Sequence, residues 1–310
     1  MTTTETAVRT PSAEEPLAEK KRGYGLPAAG FLAPFLLVYL LFIIGPGLYG
    51  LLMSFFDTSL VKPGLSSFAG LGNYTEALQS GDFWSSLWHT LWFTILTTPP
   101  LIVLALALAL LADRVKHGRW FFRLAFFAPY ILPSAVVALI WMFLYTPGLG
   151  LIEVSLGKIG ITAPNWLGDP SWAMPSLAIT TLWWTLGFNF VLYLAGLQEI
   201  PRDLYEASSI DGASPWQQIK SITLPLLGRT TTLVCVLQVI ASLKVFDQMY
   251  IMTSGGPDFA TRSILQYVYD EGFTNFRIGY ASAVSMLFFL VVLAVSAVWF
   301  TIVRRQEKGV

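Results

Sequence analysis

Six apolar runs, each long enough to cross a bilayer as a helix, leave this chain little freedom to be anything but a membrane protein. A hydrocarbon core of ~30 Å needs roughly 20 mostly apolar residues in helical form. The runs cover approximately residues 31–56, 87–112, 121–145, 174–197, 226–250 and 281–303. They are continuous and not alternating, which excludes the dyad pattern of a membrane barrel and predicts an all-α polytopic fold. Charge agrees: only 12% of residues are charged, where soluble domains carry roughly a quarter. The net charge of +0 argues against any general attraction to nucleic acid.

Orientation follows from the flanking cations. One side of the alternating topology holds Lys20, Lys21, Arg22, Arg114, Lys116, Arg119, Arg123, Arg202, Lys220, Arg304, Arg305 and Lys308. The other side holds Lys62, Lys158, Arg262 and Arg277. This roughly threefold bias places both termini in the cytoplasm and predicts a multi-pass protein of a prokaryotic plasma (inner) membrane. The outer loops (57–86, 146–173, 251–280) are long, and the inner loop 113–120 is a tight turn. Residues 1–25 read as a disordered cytoplasmic tail, rich in Thr, Ala, Glu and Lys, before a membrane domain spanning 26–310. No convincing cleavage site follows the first apolar run, so that run is expected to be a span and not a signal peptide.

Several chemistries lack their residues. Cys235 has no partner for a disulfide within the chain, and His89 and His117 share no metal-ligand spacing with it, so no metal site is expected. Gly157-Lys158 is followed by Ile159 and has no glycine at the spacing a P-loop requires. HExxH, GxSxG and an intramembrane carboxylate pair are absent, which removes the common membrane-enzyme readings. No cofactor is expected in this chain, and any ATP-driven work must be supplied by a partner.

The inner loop 198–225 is the most structured of the connections. Pro201 suits the first turn of a helix, after which Leu204, Ala207 and Ile210 share one face. Gly212 can end that helix at positive φ. Ser214-Pro215-Trp216-Gln217 then forms a capping-box pattern with proline at the first helical position. Trp216, Ile219 and Ile222 give the second helix its apolar face, and Pro225 marks the next span. Two short amphipathic helices on a membrane surface can lie on lipid headgroups or dock in the groove of another subunit. Spacing alone leaves both open.

The same loop resembles the EAA motif of prokaryotic ABC-importer permeases. Glu206-Ala207-Ser208, Gly212, Ile222, Leu224 and Pro225 keep every spacing of that motif, with Ser208 in place of its second alanine. Other segments resemble the carbohydrate permeases of the maltose and glycerol-3-phosphate type: Gly70-Leu71-Gly72-Asn73-Tyr74, Pro129-Tyr130-Ile131-Leu132-Pro133, Leu243-Lys244-Val245-Phe246-Asp247 and Gly255-Gly256-Pro257. The resemblance covers nearly everything after Gly30. It implies a permease subunit, not an enzyme, that translocates a sugar or sugar-like polyol by alternating access. It also implies two cytoplasmic ATPase subunits that bind the ATP and Mg, a second permease as heterodimer partner, and an extracytoplasmic sugar-binding protein. Glu206, Ala207, Ser208, Asp211, Gly212, Ile222, Leu224 and Pro225 would then couple this chain to the ATPase. An ion-coupled secondary transporter is the alternative, for which Asp247 is the one intramembrane carboxylate at hand.

Polar residues inside the spans are candidate pathway residues. Trp184, Phe188 and Asn189 in the fourth run, with Gln238 and Ser242 in the fifth, set hydrogen-bonding groups beside aromatic faces, as a sugar path requires. The bland alternative is that the aromatics pack and the polar groups join helices. Lys244 and Asp247, three apart, are expected to pair along one helical turn.

Overall fold

The computed structural model describes residues 25–65, 67–115 and 118–307. The tail before Gly25, Lys116, His117 and Lys308 lie outside the described residues. Among those described, every extended element is helical, and an isolated bridge pairs Phe56 with Phe68.

Two compact units divide between Tyr49 and Gly50. The first holds α1 (Gly25–Tyr39), a π turn (Leu40–Ile44) and the start of α2 (Gly45–Met53). Gly30–Met53 is continuous enough to count as one candidate span, with a mean hydropathy of 2.3.

In the second unit, α3 (Gly72–Gln79) leads into α4 (Gly81–Arg114), whose 34 residues rise about 51 Å at 1.5 Å each. That helix is the spine: residues from its start, middle and end enter three separate apolar clusters. Its main partner is α8 (Pro170–Gln198). Asp169 starts α8 by accepting the Ser171 backbone N–H and hydroxyl, both at 2.8 Å. The hydroxyl first, then the N–H, hold its carboxyl below the usual range. Lipid tails are as apolar as leucine, so helices in a bilayer associate by close packing and not by hydrophobic drive. Small residues supply it here. Ala105, Ala109 and Ala112 on α4 are buried against Phe190, Tyr193, Leu194 and Leu197 of α8. Where α8 meets α5 (Arg119–Phe127), a Cβ on Gly187 would stand 1.9 Å from the Phe126 carbonyl oxygen. Only glycine fits there.

Among the described residues, four helices are long and apolar enough to span: Gly30–Met53, Gly81–Arg114, Pro170–Gln198 and Ile278–Val298; the last lies within α15 (Ile278–Glu307). The third expected run is broken. α5 (Arg119–Phe127) and a 3-10 turn (Ala128–Ile131) meet α6 (Ser134–Tyr145) at 97°. Pro133 cannot donate a helical hydrogen bond, and Leu132 is extended. The break exposes the Leu132 carbonyl, which accepts the Trp184 indole N–H at 3.1 Å. A second bent pair, Pro215–Leu226 with α12 (Gly228–Leu243), turns through 62°. Counting each bent pair as one span gives the six expected. The fifth run also ends early, at Leu243, and α13 (Asp247–Thr253) starts anew after a three-residue break.

The connections are more ordered than their composition suggests. Asn73 of the Gly-Leu-Gly-Asn-Tyr segment donates to the Ser54 and Phe56 carbonyls, both at 2.9 Å, and so holds the chain that leaves α2. α7 (Leu151–Lys158) lies in the second long loop. In the third, α14 (Ile264–Tyr269) lies against α4, where the Thr90 hydroxyl accepts the Ile264 N–H at 2.9 Å. Arg262, expected as a loop cation, is buried instead. It pairs with Asp82 at 2.9 Å and donates to Ser86 at 3.2 Å.

Candidate functional site

The loop that follows α8 is a helical hairpin. α9 (Arg202–Ile210) starts one residue after Pro201, which sits at its cap. Gly212 holds φ +79°, and a Cβ there would meet nothing within 4 Å, so the constraint is backbone conformation and not space. Ser214 and Gln217 form the expected capping box at the start of α10 (Pro215–Gln218). The helix then runs through a π turn (Ile219–Thr223) into α11 (Leu224–Leu226).

What holds the hairpin is not the apolar face read from the sequence. Leu204, Ala207 and Ile210 are exposed, Ile210 to 87%. The anchor is Tyr205, which packs on the cluster between α4 and α8 together with Ile222. Its hydroxyl lies 2.8 Å from Thr223 Oγ1. Across the hairpin, the Gln218 side-chain amide donates to the Tyr205 carbonyl at 3.2 Å and to the Ser208 and Ser209 hydroxyls at 2.9 Å. Ser208 therefore has a structural use that alanine could not supply. Glu206, Asp211, Leu224 and Pro225 are exposed, and Trp216 is 70% exposed. The hairpin is braced from inside by polar groups and presents acidic and apolar side chains outward.

A second feature lies between α4, α8 and α12. A cavity of about 250 Å³ is lined by Trp184, Thr181, Gln238, Ser242, Tyr130 and Gln248, among others. Three of the five pathway residues read from the sequence therefore share one wall. The other two stand behind it. Asn189 is fully buried and donates to Gln238 Oε1 at 3.1 Å, while its own Oδ1 has no protein partner. Phe188 stacks on Tyr130, with ring centroids 4.9 Å apart.

Residues 101–308, which contain the hairpin and every cavity-wall residue but Phe93, match the family described as binding-protein-dependent transport system inner membrane component. The chain belongs to that family. The sulfoquinovosyl glycerol transport system permease protein SmoG of Agrobacterium fabrum is 33% identical over 92% of this chain and 92% of its own. The trehalose/maltose transport system permease protein MalF of Thermococcus litoralis is 36% identical over 92% and 95%. Among solved structures, a bacterial ABC transporter that imports the acidic polysaccharide alginate superimposes with a TM-score of 0.80 and 26% identity, over 92% of this chain and 96% of the other. Family membership decides for a permease subunit of a binding-protein-dependent importer and against an ion-coupled secondary transporter or an enzyme.

In this permease the Lys244–Asp247 pair does not form. Lys244 caps the end of α12, while Asp247 begins α13 and accepts the Ser134 hydroxyl at 3.0 Å. Both line the cavity. The sequence reading missed Tyr130, Thr181 and Gln248 as wall residues. Tyr130 was within reach, since it sits in the Pro-Tyr-Ile-Leu-Pro segment already singled out. Gln248 was not: it reaches the wall because Thr181 donates to it at 2.7 Å and it donates to the Leu177 carbonyl at 2.9 Å. His89 and Cys235 take no part in the hairpin or the cavity wall, and the described residues hold no cluster able to bind a metal ion.

Proposed function

We propose that this permease moves a sugar, or a sugar-like polyol, through a path that includes the cavity wall of Trp184, Gln238 and Ser242. The observation that carries this reading is the setting of hydrogen-bonding side chains beside aromatic rings, near the middle of α8 and the end of α12. Pyranose rings offer C–H faces to aromatics and hydroxyls to amides. The substrates in the relatives' names, a sulfosugar glycoside and disaccharides, support the same class.

The chain acts as one half of a heterodimer with a second permease. The hairpin of α9 and α10 docks on a cytoplasmic ATPase subunit, with Glu206, Ala207, Ser208, Asp211 and Gly212 in α9 and its bend, and Ile222, Leu224 and Pro225 at the return to the membrane. Two ATPases bind ATP and Mg, and an extracytoplasmic binding protein delivers the sugar. Closure of the ATPases moves the hairpins, and the cavity changes the side on which it opens. Both termini face the cytoplasm. Uptake of labelled sugars into vesicles carrying the complex, with the binding protein outside, tests the reading. Uptake should need ATP and stop when the ATPase is left out. Sugar uptake that persists without the ATPase would overturn it.

A further inference from the structure

Where α4 ends, a groove of about 580 Å³ opens between it and the hairpin. Ala107, Leu110, Leu111 and Arg114 of α4 form one side, and Trp216 of α10 with Ile219 forms the other. Ala107, Leu111 and Arg114 follow the i, i+4, i+7 spacing of a single helical face. It is a different face from the one buried against α8, which carries Ala105, Ala109 and Ala112. Leu111 is 64% exposed and Trp216 is 70% exposed, so both apolar walls stand open.

Polar groups on the walls are few. Ser214 already accepts the Gln217 N–H in the capping box. The Arg114 side chain is exposed, and among the described residues it has no hydrogen-bond or ion-pair partner. Asp113, the neighbouring carboxylate, lies about 100° round the helix from it. A cation in the last turn of α4 suits the helix dipole, and at a span end it ordinarily reaches for water. Neither reason accounts for an apolar cleft directly beneath it. Leu111 and Ala107 stand three and seven residues before Arg114, about 5 and 10 Å deeper along the helix at 1.5 Å per residue. A water-soluble partner stops at the headgroups, whereas this groove continues to the depth that acyl chains occupy. The occupant it fits is therefore amphipathic, long and apolar below, negatively charged at the rim.

We propose that the groove seats one anionic phospholipid, with its phosphate on Arg114 and an acyl chain between α4 and α10. The planar guanidinium fork matches a phosphate. Because Arg114 has no ion-pair partner of its own, a lipid of net negative charge is favoured over a zwitterionic one, whose own cation competes for the phosphate. The seated chain joins Trp216 of the hairpin to the last turns of α4, so the position of the hairpin is tied to the lipid around it. This site does not depend on which solute the permease moves.

The test uses the complete transporter in phosphatidylcholine nanodiscs doped with phosphatidylglycerol that carries a photoreactive group in its acyl chain. A phosphatidylcholine analogue with the same group is the control, and labelled residues are mapped by mass spectrometry. In wild type, phosphatidylglycerol should label residues 107–111 and Trp216 severalfold more than the control does. Arg114→Gln should bring the two lipids level, and Arg114→Lys should keep most of the preference. Ala107→Phe, which fills the groove, should lower labelling by both. Equal labelling by the two lipids in wild type would overturn the anionic site and leave ordinary boundary lipid. Should Arg114→Gln assemble poorly, the other two variants decide: loss of the preference in Arg114→Lys, or full labelling in Ala107→Phe, also overturns it. Finally, a photoreactive residue in place of Leu111 should join to lipid. Joining to a second permease or an ATPase instead would show that a protein fills the groove.

Discussion

The Tyr205 hydroxyl on α9 lies 2.8 Å from Oγ1 of Thr223, a buried residue in the last turns of the hairpin. This contact joins the outward-facing first helix to the helix that re-enters the membrane, so a push on one reaches the other. Tyr205→Phe removes one hydrogen bond, a loss of about 0.5–1.5 kcal/mol. The expected outcome is an assembled complex that hydrolyses ATP but moves less sugar per ATP. Equal ratios of uptake to hydrolysis in variant and wild type would show that the bond plays no part in coupling.

Gly212 allows a sharper separation of causes. Its surroundings are open, and only its φ of +79° excludes other residues. A left-handed conformation costs an L-residue roughly 1–2 kcal/mol, less for asparagine, and most for a β-branched side chain. Gly212→Val should abolish uptake with insertion intact, and Gly212→Asn should retain a substantial part. Equal damage from both would mean that the side chain meets a partner, and that backbone conformation is not the cause.

At Gly187 the constraint is the reverse, space and not φ. The Phe126 carbonyl would stand 1.9 Å from a new Cβ, so Gly187→Ala must push α8 from α5. Overpacking of this kind costs about 1–3 kcal/mol. Thermal stability of the purified complex should fall, whereas Gly228→Ala, where nothing lies within 4 Å, should leave it near wild type. A normal melting temperature for Gly187→Ala would show that the two helices are not held at this separation.

Asn189 and Gln238 can be told apart by a double-mutant cycle. Gln238 faces the cavity, and Asn189 lies behind it at 3.1 Å. Gln238→Ala should reduce uptake at limiting sugar, while Asn189→Ala should chiefly lower stability, since each leaves a buried amide short of a partner. The double variant should lose less stability than the two single losses combined. Strict additivity would count against the bond between them.

Orientation is open to cysteine labelling in a Cys235→Ala background. Val61, Ile159 and Ile210 are all well exposed. An impermeant thiol reagent should label Val61→Cys and Ile159→Cys from outside intact cells, and Ile210→Cys only after the cells are opened. Labelling of Ile210→Cys in intact cells would reverse the topology.

Features whose physics is local were legible in the order of residues along the chain. Apolar length made the elements membrane helices, because a backbone in hydrocarbon must satisfy its own hydrogen bonds. The hairpin bend was legible because Gly212, and the Ser214–Gln217 capping box three residues apart, act through backbone angles and neighbouring amides. Tertiary structure alone decided what depends on residues distant in the chain. The break at Leu132 closes on Trp184, fifty-two positions away, and Arg262 is buried because Asp82 and Ser86 meet it. Asp247 turns from Lys244 to Ser134, and Asn189 drops out of the cavity wall by bonding Gln238. A helical pattern states which residues share a face. Which face meets a carbonyl, a counter-charge or open space is settled only when the helices pack, because a buried polar group takes the partner that packing brings within hydrogen-bonding reach.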